Sequence, residues 1–133
     1  VSFREIPHTA DVGIEVEAES LDELFKEAAL ALYSVMFSDE PSGDGEDCAL
    51  SLEGTDGLDL AVVWLNELIY IYDAKGEVFL PSVVSVDEEA WRLESRGKLI
   101  PPPKRRRDVK AATFGGARFT RHPRPYFRVF LDV

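Results

Sequence analysis

Cysteine is nearly absent from this chain: Cys48 is the single one among 133 residues. That excludes an internal disulfide and a cysteine-rich zinc site, and it permits a reducing compartment. Cys48 also lies in an acidic stretch, which disfavours its thiolate. Histidine is scarce as well. With only His8 and His122, a Ser-His-Asp or Cys-His relay has little to draw on. There is no long apolar run. The longest, residues 58–72, is broken by Asp59, Asn66 and Glu67, whereas a membrane span needs roughly twenty apolar residues. No transmembrane helix is expected, and Val1-Ser2-Phe3-Arg4-Glu5 lacks the basic and apolar regions of a secretory signal, so the expected location is cytoplasmic. Gly43-Asp44-Gly45 lacks the lysine and hydroxyl of a phosphate-binding loop, and no strand–glycine turn–helix pattern suits a dinucleotide. ATP and NAD sites are not expected.

What is present is the composition of an ordinary globular protein: 45% hydrophobic, 11% aromatic and 30% charged residues. A chain of this length buries a core without disulfides or structural metal, and residues 1–133 are expected to form one domain. The net charge is −10, from 15 Lys/Arg and 25 Asp/Glu. The charges are divided along the chain. Residues 1–90 hold 3 Lys/Arg against 22 Asp/Glu, and residues 91–133 hold 12 against 3. Both regions must share one fold, which therefore carries a strong charge gradient or pairs the two regions with each other.

Residues 12–19 alternate apolar and polar, the period of a half-buried strand. Ser20-Leu21-Asp22-Glu23 follows, a hydroxyl three residues before a carboxylate, which marks a helix start. Leu21, Leu24, Phe25, Ala28, Leu32, Val35 and Met36 then recur at helical spacing and form a core stripe. An acidic loop from Ser38 to Asp47 leads to a strand at 48–53. Asp56-Gly57 introduces a second helix, residues 58–73, apolar on nearly every side and stopped by Gly76. Residues 78–80, 83–86 and 91–96 read as strands. Pro101-Pro102-Pro103 enforces an extended stretch, and 109–114, 117–120 and 126–133 read as three closing strands. Two helices among seven or eight strands, many connected strand to strand, predict an α+β domain: a largely antiparallel multi-stranded sheet packed with two helices.

Two carboxylates stand out by position. Asp11 lies between the turn-like Pro7-His8-Thr9-Ala10 and the first strand, and Asp132 is followed only by Val133. If the first and last strands are neighbours, Asp11, Asp132 and the carboxylate of Val133 converge, and hard divalent cations prefer such oxygen donors. The plainer reading has Asp11 capping a turn and Asp132 fraying into water. Lys104-Arg105-Arg106-Arg107 is either a solvated loop or a contact for RNA phosphates or an acidic protein surface. His8 beside a proline reads as a turn residue before a ligand, and capping explains Glu23 fully.

The chain resembles the archease family in several blocks. His8-Thr9-Ala10-Asp11-Val12-Gly13 with Ser20-Leu21-Asp22-Glu23-Leu24-Phe25-Lys26-Glu27-Ala28-Ala29 is similar to that family's opening. Trp64-Leu65-Asn66-Glu67-Leu68-Ile69-Tyr70, Val109-Lys110-Ala111-Ala112-Thr113 and Val129-Phe130-Leu131-Asp132-Val133 resemble its later blocks, in order and spacing. The resemblance implies a protein that is not itself an enzyme but a cofactor of the GTP-dependent tRNA-splicing RNA ligase. Such a factor promotes guanylylation of the ligase histidine and multiple turnover, meeting tRNA through the ligase. It implies a metal site at Asp11, Asp132 and Val133, filled by a divalent cation, calcium foremost, with magnesium or manganese as alternatives. Lys110 matches the family's functionally important lysine, with Glu23 and His8 as further candidates. Where the family often has Tyr-His, this chain has Phe114-Gly115, so a role for that ring or imidazole is absent. Two other readings stand beside this one: a small RNA-binding module using the basic C-terminal third, and, ranked last for want of a base, a metal-dependent hydrolase on Asp11 and Asp132.

Overall fold

In a computed structural model, residues 1–7 and 11–133 are described. The order is β1 (Ser2–Pro7), β2 (Asp11–Glu17), α1 (Leu21–Met36), β3 (Glu46–Glu53), α2 (Gly57–Lys75), β4 (Val78–Asp87), β5 (Arg92–Ile100), β6 (Ala111–Thr120) and β7 (Tyr126–Asp132). The alternation after Asp11 is realised in β2, where Val12, Ile14 and Val16 are buried and Glu15 and Glu17 take the other face. The Ser20 hydroxyl accepts the Glu23 N–H at 3.2 Å and starts α1. Asp56 does the same for α2, accepting from the Asp59 N–H at 2.8 Å. Gly76 ends α2 at φ 66, a left-handed turn that costs glycine little, and its N–H returns to the Tyr72 carbonyl.

All strand pairings are antiparallel. The strands form two sheets, one of four in the order β1-β2-β7-β6 and one of three in the order β3-β5-β4. The α+β class with two helices is as expected, but the sheet is divided. Each helix touches strands of both sheets: α1 meets β1, β2 and β4, and α2 meets β3, β4, β5 and β6. This placement explains why α2 is apolar on most sides. Trp64, Tyr33, Phe25, Phe79 and Phe127 are the largest fully buried side chains. Trp64 packs edge-on against Phe79, with centroids 6.2 Å apart, and its indole N–H donates to the Phe25 carbonyl at 2.8 Å, tying one helix to the other.

Three differences from the sequence expectation have clear causes. Residues 2–7 carry no strand signal in the sequence yet form β1: Phe3 and Arg4 point to opposite faces and are both exposed, so no buried face imposes alternation. Residues 78–80 and 83–86 belong to one strand: Pro81 sits in β4, which pairs only with β5, and its missing N–H is absorbed by a register shift between Pro81 and Val83. Residues 109–114 and 117–120 likewise fuse into β6 through a shift between Thr113 and Arg118, where Gly116 adopts φ 73.

The helices also cover sheet edges with polar side chains. From α1, the Tyr33 hydroxyl donates to the Phe79 carbonyl, Lys26 donates to the Ser82 carbonyl at 3.0 Å, and Asp22 accepts the Val86 N–H at 2.8 Å. These bonds satisfy the free edge of β4. Burial pushes the Tyr33 phenol far above its ordinary pKa. The face of the four-stranded sheet turned away from the helices carries no packed helix or sheet among the described residues.

Candidate functional site

The register of β2 against β7 decides what the two outlying carboxylates do. Ile14 and Val16 on β2, and Phe127, Val129 and Leu131 on β7, must all face the helices. A slip by one residue would turn each set into water, so burial fixes the pairing. The result is Ile14 opposite Val129 and, at the end of the ladder, Asp11 opposite Asp132. The two aspartates share the outer face, where directly opposed residues hold their Cβ atoms roughly 5 Å apart. Asp11 is half-buried and Asp132 exposed.

On the other flank of β7, Asp132 faces Ala111 of β6, and the Lys110 N–H donates to the Asp132 carbonyl at 2.7 Å. Lys110 is exposed. The start of β6 is held from its far side by α2. The Asn66 amide accepts the Ala112 N–H at 2.7 Å and donates to the Ala112 carbonyl at 3.2 Å, as a neighbouring strand would. Asp11, Asp132 and Lys110 are thus brought to one end of one sheet, although they lie at opposite ends of the chain.

Two like charges directly opposed are destabilising, and a cation between them removes that cost. The donors are carboxylate oxygens, the chemistry of calcium, magnesium or manganese rather than of a thiolate or imidazole metal. Asp11 and Asp132 therefore fit a hard divalent ion. Among the described residues, no group of three or more His, Cys, Asp and Glu side chains is placed to hold a metal, so such an ion would complete its shell from Val133 or water.

The other candidates lie elsewhere. His8 is outside the described residues. Glu23 stands in the first turn of α1, which follows the Glu17 end of β2, away from Asp11. The basic run crosses the C-terminal end of α1. The Arg106 and Arg107 N–H groups both donate to the Met36 carbonyl, at 2.7 and 3.2 Å, and the Arg106 guanidinium donates to the Ser34 carbonyl at 2.9 Å. These cations meet the negative end of the helix, and both pair with Glu5, at 3.8 and 3.0 Å. Lys104 and Arg105 are exposed and carry no ion pair among the described residues.

The acidic and basic regions partly neutralise each other. Arg124 lies 2.6 Å from Glu19, Lys98 lies 2.9 Å from Asp47, and Arg121 pairs with Glu88. Bonds to Asp47 and Asp44 raise the Lys98 pKa. Asn66 is the site-positioning residue that sequence reading missed. Its signal was a lone amide in an apolar helix, but nothing in the sequence says what it bonds.

An α+β domain of two antiparallel sheets bridged by two helices, with a carboxylate pair where β2 meets β7, defines the class. The protein-family model described as Archease protein family (MTH1598/TM1083) matches residues 3–133. The chain belongs to the archease family. It is 37% identical over 100 residues to "Protein archease" of Archaeoglobus fulgidus, covering 74% of this chain and 72% of that one. It is 33% identical over 116 residues to the protein of the same name from Sulfurisphaera tokodaii, covering 84% of each. Among solved structures, Methanobacterium thermoautotrophicum protein 1598 superposes with TM-score 0.75 at 28% identity over 98% of both chains. A Thermotoga maritima structure described as an archease, possible chaperone, has TM-score 0.65 at 22% identity, over 98% of this chain and 96% of that one, and shares the fold. No described helix is long and apolar enough to cross a membrane.

Proposed function

We propose that this chain is an accessory factor of the GTP-dependent RNA ligase that joins a 3′-phosphate or 2′,3′-cyclic phosphate end to a 5′-hydroxyl, in tRNA splicing or RNA repair. It raises guanylylation of the ligase histidine and restores multiple turnover without itself catalysing the joining, and it meets tRNA through the ligase in the cytoplasm. Family membership supports an accessory role. The observation that carries the reading is the opposition of Asp11 and Asp132 with Lys110 bonded beside them.

Phosphoryl transfer depends on charge neutralisation and positioning. Asp11 and Asp132, with an oxygen of Val133, would hold a divalent cation, calcium, magnesium or manganese, and that ion would supply positive charge toward a phosphate or a ligase carboxylate. The chain's own part is placement. The β2–β7 ladder fixes the carboxylates, Asn66 fixes the start of β6, and the exposed Lys110 ammonium offers a second positive group at the same edge.

The test measures ligase guanylylation and multiple-turnover joining with wild-type protein, Asp11→Asn, Asp132→Asn and Lys110→Ala, alongside calorimetric titration of calcium, magnesium and manganese. Both aspartate variants should lose stimulation and cation binding while staying folded, and Lys110→Ala should lose stimulation while keeping cation binding. Full stimulation by both aspartate variants would refute the scheme.

A further inference from the structure

One cross-strand row on the open face runs through all four strands of the larger sheet. Arg4 lies opposite Glu15, Glu15 opposite Arg128, and Arg128 opposite Arg118. Three cations share one acid, and that acid is already engaged. Arg4 donates to one Glu15 oxygen, and the Tyr126 hydroxyl donates to the other at 2.8 Å. Burial disfavours the charged carboxylate, but these bonds outweigh it and hold its pKa below the ordinary range.

Arg118 and Arg128 therefore face each other as directly opposed like charges, an arrangement that is destabilising by itself. Arg118 is exposed, and its guanidinium forms no ion pair or hydrogen bond with the described residues. The Nε of Arg128 is buried without a hydrogen-bond partner among the described residues, and its guanidinium lies 6.0 Å from the Phe130 ring centroid. One oxyanion bound between the two guanidinium groups relieves the like-charge pair. The β6–β7 hairpin around them, residues 111–132, holds four arginines and one acid, Asp132; Arg121 and Arg124 are already paired, with Glu88 and Glu19, which leaves Arg118 and Arg128 as its uncompensated pair.

We propose that Arg118 and Arg128 form a phosphate-binding site for the backbone of a single-stranded nucleic acid crossing this open face. The guanidinium fork matches phosphate geometry. Aromatic surface for stacking a base lies close by, with Phe114 54% exposed at the bulge of β6. The site is separate from the carboxylate row, which is four residues further along β7, roughly 13 Å, and it does not rest on the ligase reading.

The test uses fluorescence anisotropy with a labelled oligouridine of about fifteen nucleotides, titrated with wild type, Arg118→Glu and Arg118→Lys over a range of salt. Competitors are the matching deoxyoligonucleotide, inorganic phosphate and polyglutamate. Arg118→Glu removes the repulsion, so it should unfold no earlier than wild type, yet bind the oligonucleotide about tenfold more weakly. Its logarithmic salt slope should be shallower by about 0.7 for each phosphate that is no longer neutralised. Arg118→Lys, which keeps the charge but not the fork, should bind between wild type and Arg118→Glu with the wild-type salt slope, and the deoxyoligonucleotide should compete. Affinity and slope unchanged in Arg118→Glu, no oligonucleotide binding by wild type whether or not phosphate binds, or polyglutamate competing as well as the oligonucleotide would each overturn the proposal.

Discussion

Replacing Asn66 by alanine tests how far the candidate edge depends on α2. The substitution removes two hydrogen bonds, one accepted from the Ala112 N–H at 2.7 Å and one donated to its carbonyl at 3.2 Å. Each is worth about 1 kcal/mol net, and stranding two half-buried backbone groups adds about 1 kcal/mol more. Alanine is the better helix former and returns about 0.6 kcal/mol. The balance is a loss of about 2 kcal/mol, or about 6–10 °C in Tm for a domain of this size. Urea unfolding reads the global term. Amide exchange at Ala112 reads the local one and should quicken about thirtyfold. Asn66→Asp is the informative companion. At neutral pH it keeps the acceptor but sets a carboxylate against the Ala112 carbonyl, so it should be at least as unstable as alanine. Below about pH 4 its protonated form can donate again, and it should gain on the alanine variant. An Asn66→Ala protein within about 0.5 kcal/mol of wild type, with Ala112 exchange unaltered, would refute the clamp.

Two other outcomes follow from the same sheet. A Cβ on Gly13 would stand 2.7 Å from a Phe130 ring carbon and 3.0 Å from the Ile6 Cβ, so Gly13→Ala should cost about 1–3 kcal/mol by overpacking. Adding Phe130→Leu should recover part of that loss, and a double-mutant cycle in urea showing no coupling between the two sites would contradict the close approach. Glu15 has a folded pKa below its ordinary 4.5, so its contribution is present above about pH 4.5 and is lost as pH falls through the folded value. Wild type should therefore lose more stability than Glu15→Gln between about pH 6 and pH 3, and an equal loss in the two proteins would show that Tyr126 and Arg4 do not favour the charged carboxylate.

Legibility varied with how local each signal was. Helix starts at Ser20 and Asp56, the stop at Gly76 and the faces of β2 depend on neighbours within a few residues, and all were readable. Strand β1 was not, because Ser2 to Glu5 are exposed on both faces and nothing there imposes alternation. The interruptions in β4 and β6 were mistaken for strand ends, because a proline or a glycine pair signals a break whether or not the ladder resumes beyond it.

The chain by itself determined its two helices, one amphipathic and one apolar on nearly every side, its strand-rich second half, the division of charge between residues 1–90 and 91–133, and the oddity of carboxylates at Asp11 and Asp132. Only the tertiary structure decided which of these meet. The opposition of Asp11 and Asp132, the Asn66 bonds to Ala112 and the Arg4–Glu15–Arg128–Arg118 row join residues far apart in sequence. The pairings of β2 with β7 are set by the burial of the opposite sheet face, through residues such as Ile14 and Val129, and a one-residue slip there would undo both Asp11–Asp132 and Glu15–Arg128.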